Sequence, residues 1–188
     1  MTREQAYKIT TTYLKNPNLL KHCLAAEAVM KALYKRLNAN QNPEEENTWG
    51  IVGLLHDADY EMSKGHPEKH GLLLFQKEPN IPDDIAYAIK AHNFEYTKVL
   101  PKTNMDWAIA SCDQLTGLIV AASLIHPDKK LASLTSDFIM KRFKEKTFAK
   151  GADRDSILRC ETQLKIPLDE FIEINLTAMQ AIATELGL

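Results

Sequence analysis

The chain has 188 residues, 45% of them hydrophobic, which suits one compact domain with a sizeable core and is cramped for two. Its 23 Lys and Arg against 25 Asp and Glu leave a formal net charge of −2, which argues against a general nucleic-acid or membrane-surface role and makes any basic site local. Three widely spaced cysteines, Cys23, Cys112 and Cys160, form neither a disulfide framework nor a zinc-ribbon spacing, so reduced core thiols are expected.

Residues 1–8 lack the apolar stretch of a signal peptide, and the apolar run around residues 117–122 is shorter than a bilayer requires. A soluble, cytoplasmic protein is therefore expected. Nearly every segment has helical period and none shows sustained two-residue alternation, which predicts an all-α domain. Thr2-Arg3-Glu4-Gln5 fits a capping box for a short first helix, and Asn16-Pro17 opens a second that runs to about Leu37. His22 falls in the apolar stripe of that second helix with Leu19, Ala26, Val29 and Leu33, so it should face inward. Asn42-Pro43 and three glutamates start a third helix ending near His56-Asp57.

Gly65-His66-Pro67 is expected to restart the chain into a helix that carries His70. Pro82-Asp83-Asp84 begins another, in which Ile85, Ala88, Ile89 and His92 share a face. Thr103-Asn104 caps a helix from Met105 to about Ile125, apolar nearly all round and so expected to be central, with Asp113 near its middle. Beyond His126-Pro127 come a basic run, 141–146, and two terminal helices, opened by Asp153 or Asp155 and by Pro167. No internal repeat divides the chain, which reads as a single domain over 1–188, with a core at about 17–126 and a C-terminal helical extension at about 127–188.

Asp113 carries the sharpest physical argument. An unpaired carboxylate buried within Ala-Ser-Cys-Asp-Gln-Leu would cost several kcal/mol or be forced to protonate. No arginine is close in sequence, and inward-facing histidines make a divalent cation the better partner. Any one of these histidines alone would be read as a hydrogen-bonded core residue. Four histidines and two aspartates on apolar faces reverse that reading.

Their order, His22, then His56-Asp57, then Asp113, resembles the H…HD…D pattern of the HD-domain metal-dependent phosphohydrolases. The Asp113-to-Ala121 segment and the run from Lys141 to Arg154 look like a bacterial group of HD hydrolases with no settled substrate, so the resemblance covers most of the chain. It implies an HD-type helical bundle and a metal held by His22, His56, Asp57 and Asp113. His70 and His92 resemble the added histidines of dinuclear members, with Asp57 bridging the two ions. Imidazole and carboxylate ligands without thiolate favour one or two ions of Mn, Fe, Co, Ni or Mg over a structural zinc. His66 reads as a helix cap or a group behind the ligands, and His126 as a surface residue.

The implied activity is hydrolysis of a small phosphorylated substrate, a nucleotide phosphomonoester or phosphodiester, by water acidified at the metal. With Asp57, Asp59 and Glu61 are the candidate catalytic groups, because they follow the ligand pair closely enough to orient water or a ligand histidine; solvated loop acids are the alternative. Lys64, Lys141 and Lys144 are candidate substrate-phosphate ligands, with Lys129, Lys130 and Arg142 more remote; for 141–146 a solvated helix face is the favoured reading. No nucleic-acid or membrane partner is expected. Two rivals stand beside the hydrolase: an HD-fold di-iron oxygenase, which uses the same ligands, and a non-catalytic nucleotide-binding module.

Overall fold

Six helices begin on side chains suited to satisfying free backbone N–H groups at a helix start. In the computed structural model, which describes residues 1–188, these caps are Thr2, Asn16, Asn42, Thr103, Thr135 and Asp153. Thr2 with Gln5 and Thr103 with Asp106 complete reciprocal capping boxes. The helices are α1 (Arg3–Tyr13), α2 (Pro17–Leu37), α3 (Pro43–Leu55), α4 (Leu74–Lys77), α5 (Asp83–His92), α6 (Phe94–Thr97), α7 (Asn104–Ile125), α8 (Ser136–Lys144), α9 (Arg154–Thr162), α10 (Leu168–Ala181) and α11 (Ala183–Leu186). No strand is present, so the fold is all-α as the periodicity predicts.

Helices α2, α3, α5 and α7 pack on one another and supply most of the candidate ligands. Helices α2 and α3 approach closely, and a Cβ on Gly53 would lie 2.5 Å from the Ala26 carbonyl oxygen. Only glycine permits that crossing, and the crossing sets His22 of α2 beside His56 at the end of α3. One hydrophobic core of 41 buried residues runs from Ala6 to Leu186, so α8 to α11 share it with the helices that precede them. The cysteines are buried and unpaired, and burial raises all three thiol pKa values.

α7 is the central helix. Its length and composition would suffice to cross a membrane, more than the short apolar run in the sequence suggests, yet 61% of its most apolar window is buried inside this protein. The predicted helix around His70 is the clearest correction. The chain from Asp57 to Leu73 is a series of turns, with a 3₁₀ turn at Pro67–Lys69 and His70 extended at φ −66°, ψ 129°. Gly65 and Gly71 adopt φ of 82° and 81°, which interrupts helical winding on both sides of His70.

Candidate metal centre

The sequence places four imidazoles on four different segments, and each is oriented through its Nδ1 atom. His56 directs Nδ1–H to the Gly53 carbonyl at 2.7 Å, and His92, the last residue of α5, directs its own to Ile89 at 2.5 Å. His70 donates Nδ1–H to Asp59 at 2.9 Å. The Thr116 hydroxyl donates to the Asp113 carbonyl at 2.7 Å, which leaves its oxygen to accept Nδ1–H of His22 at 3.2 Å. Every ring therefore turns Nε2 toward the same interior point.

The Nε2 atoms meet in two pairs, His22 with His56 at 3.2 Å and His70 with His92 at 3.1 Å. Asp113 Oδ1 sits 2.9 Å from His22 Nε2 and 3.5 Å from His56 Nε2. Asp57 lies between the pairs: Oδ2 is 3.5 Å from His22, while Oδ1 is 3.0 Å from His70 and 3.5 Å from His56. His22, His56 and Asp113 thus form one triad, and Asp57, His70 and His92 a second, each compact enough to hold an ion.

Facing lone pairs require protons or cations between them. Burial opposes charge on His56, but Asp57 and Asp113 prevail and push its pKa up to about 9. His70 is raised to about 10 against the same burial, by Asp57 and Asp59. His92 goes the other way, down to about 4, through burial and then the positive rings of His70 and His56. Burial opposes ionisation of both carboxyls, yet the surrounding histidines hold Asp57 and Asp113 well below the usual carboxylate range. In the metal-free protein each histidine pair therefore includes one ring held charged at neutral pH, where a divalent cation would take the place of its proton.

The centre opens on a cavity of about 490 Å³. Tyr60, Asn93 and Gln114 supply neutral polar groups to its wall, which Ala149, Gly151 and Ala152 also line. No lysine or arginine lines it. Tyr60 stands half-exposed at the mouth, packed edge-on against His70 with ring centroids 5.3 Å apart.

The remaining sequence candidates divide. Asp59 is buried and binds His70, Gly71 and Leu74, so it orients a candidate ligand. Glu61 is exposed and accepts the backbone N–H groups of Lys15 and Asn16, which removes it from the centre. Lys64 lines an adjoining hollow of about 180 Å³ that shares Tyr60, His70 and Asn93 with the main cavity. Lys141 and Lys144 are exposed on α8 and line neither space, a correction that follows from α8 turning its apolar side, Ile139 and Phe143, to the core. His66 is exposed beside Glu68, outside the centre.

Sequence reasoning missed Thr116, Asn93 and Gln114. Thr116 lies three residues after Asp113 and so on the same helical face, the one signal that pointed to it. Asn93 donates to the Pro67 and His70 carbonyls at 2.8 and 3.3 Å, pinning the His70 loop to the end of α5. No family model, curated protein or solved structure matches the chain.

Proposed function

We propose that this protein is a metal-dependent phosphohydrolase of the HD type, acting on a small phosphorylated substrate, a nucleotide phosphomonoester or phosphodiester. The observation that carries the reading is the Asp57 carboxylate set between two triads, with four Nε2 atoms turned inward by acceptors at Nδ1. This matches the ligand set of the dinuclear HD resemblance, including the bridging place of Asp57. Two bound divalent ions would acidify water and neutralise charge on phosphoryl oxygens.

The chain's own groups have separate tasks in this reading. Asp57 and Asp113 supply anionic ligands, and Asp59 keeps the His70 ring in register. Tyr60, Asn93 and Gln114 offer hydrogen bonds to the neutral part of a substrate. Lys64, across the ridge formed by Tyr60, His70 and Asn93, serves a second anionic group.

The lack of basic side chains in the wall favours one second reading. Without a lysine or arginine in the main cavity, a di-iron oxygenase using the same six ligands is the rival. Metal analysis of protein purified without added metal, followed by a phosphatase and phosphodiesterase panel with Mn, Co, Ni and Mg, separates them. Release of phosphate or a nucleotide supports the hydrolase. A silent panel, with two irons bound and oxygen consumed, replaces it by the oxygenase.

A further inference from the structure

Two polar groups far apart in sequence meet behind Asp113. Its Oδ1 faces His22 and His56, while Oδ2 accepts Nε2–H of Gln114 at 2.9 Å. The other end of that amide, Oε1, accepts the backbone N–H of Asp153 at 3.1 Å. A carboxylate only accepts and a backbone N–H only donates, so the Gln114 amide fits in one orientation alone.

Asp153 ends the loop that walls the cavity, and the next residue holds that loop in shape. Arg154 donates from Nη1 to the carbonyls of Ala149 and Ala152, both at 2.7 Å, and from Nη2 to Phe148 at 2.5 Å. Ala149 sits at φ 44°, a left-handed conformation that a residue with a Cβ adopts at a cost unless its surroundings impose it. The guanidinium satisfies three carbonyls of a segment that has no helix to satisfy them.

We infer that Gln114 is a positioning residue for the metal centre, leaving Asp113 only Oδ1 to present to an ion, and that the Arg154-clamped loop of residues 148–153 holds Gln114 in place through the Asp153 N–H. The inference rests on the metal-centre reading but not on the reaction. The wall that a substrate would touch and the carboxylate that would hold an ion are thereby one hydrogen-bonded unit.

The test measures Co(II) binding by titration calorimetry and visible absorption, one triad at a time. In a His92→Ala background, which isolates the His22, His56 and Asp113 triad, Gln114→Met keeps side-chain volume and removes both bonds. It is expected to weaken Co(II) by about 10- to 100-fold and to change the absorption band. In a His22→Ala background the same substitution is expected to change nothing. Arg154→Ala should weaken the first triad in the same direction, and added guanidinium should restore it on the same folded chain. Unaltered affinity and spectrum in Gln114→Met with His92→Ala, or an Arg154→Ala defect that guanidinium does not repair, overturns the inference. A wild type that binds no Co(II) overturns the metal-centre reading with it. A silent phosphoester panel beside the expected binding results counts against the hydrolase alone.

Discussion

Asp59 accepts Nδ1–H of His70 at 2.9 Å, and the same carboxylate accepts the backbone N–H groups of Gly71 and Leu74 at 2.9 and 3.1 Å. One buried side chain thus both aims a candidate ligand and replaces the backbone bonds that a helix would have made there. Asp59→Ala leaves two buried N–H groups without an acceptor, at about 1–3 kcal/mol each. Urea unfolding of the metal-free protein should show a loss of about 3 kcal/mol, and ion affinity at the Asp57, His70 and His92 triad should fall about 10- to 100-fold. Asp59→Asn, which keeps an acceptor oxygen, should lose less of both. Wild-type stability in Asp59→Ala would contradict this account of the loop.

Proton release is the second expectation. His56 and His70, with pKa values of about 9 and 10, hold protons at pH 7.5 that an incoming ion must displace from Nε2. Calorimetry in buffers of different ionisation enthalpy should report about two protons released as both sites fill, and affinity should rise with pH from 6 to about 9. The sign for the metal-free fold is opposite. Both pKa values are raised above the unfolded value of about 6.5, so their stabilisation is complete below that pH and lost as pH climbs through 9 and 10. The lowered carboxyls Asp57 and Asp113 stabilise above about pH 4 and lose that effect on acidification. His92, lowered to about 4, costs stability as pH falls from about 6.5 to 4, because only the unfolded ring takes up a proton there. Melting temperature of the metal-free protein should therefore be highest near about pH 6.5 and fall on either side, and a flat profile up to pH 10 would exclude protonated histidines in the centre.

Asp57 faces both triads and should be the least replaceable residue. Asp57→Ala is expected to weaken both ions and abolish phosphoester turnover, whereas His92→Ala should weaken one ion and leave the first triad occupied. Elemental analysis after dialysis against dilute Mn separates the two outcomes. Equal occupancy in Asp57→Ala and wild type would remove Asp57 from its bridging place.

Much of this arrangement is legible in the sequence because it depends on local signals. The caps at Thr2, Asn16, Asn42 and Thr103 start helices where the residue types require, and His22 and His92 share stripes with aliphatic neighbours. The His70 segment is not legible in that way. Beside its local turn bonds, its Gly71 and Leu74 N–H groups go to Asp59 and its His70 carbonyl to Asn93, contacts made 12 to 23 residues away, so period and propensity point to a helix that the tertiary partners replace. Gln114 and Arg154 carry no period at all, and their roles emerge only when α7 meets the loop before α9. Glu61 shows the converse error, since four residues from Asp57 along a turning chain its carboxylate is taken up by the backbone N–H groups of Lys15 and Asn16.

Lys64 and the α8 lysines should separate cleanly in kinetics. Lys64 lines the hollow that adjoins the centre, while Lys141 and Lys144 line neither space. On a phosphorylated substrate, Lys64→Ala should raise KM more than it lowers kcat, because binding a phosphate equally in ground and transition states affects KM alone. Lys141→Ala with Lys144→Ala should leave both parameters unchanged. A larger KM effect from the α8 pair would move the substrate path away from the hollow that Lys64 lines.

The last expectation concerns the crossing that makes the site possible. A Cβ at Gly53 would fall 2.5 Å from the Ala26 carbonyl oxygen and 2.7 Å from the Glu27 nitrogen, both backbone atoms that cannot swing aside. Gly53→Ala must therefore push α3 off α2, with an overpacking cost of about 1–3 kcal/mol that outweighs the higher helix propensity of alanine, about 1 kcal/mol. The same displacement moves the Gly53 carbonyl, which orients His56, relative to His22 on the opposing helix. Denaturant unfolding should show lower stability, and Co(II) affinity at the His22, His56 and Asp113 triad should fall while the second triad keeps its ion. Gly117→Ala is the control: it lies on the cavity wall with open space where its Cβ would go, so the same measurements should show no loss of stability. If Gly53→Ala were as stable as wild type and bound Co(II) equally well, the close α2 to α3 crossing would not be what brings the two histidines together.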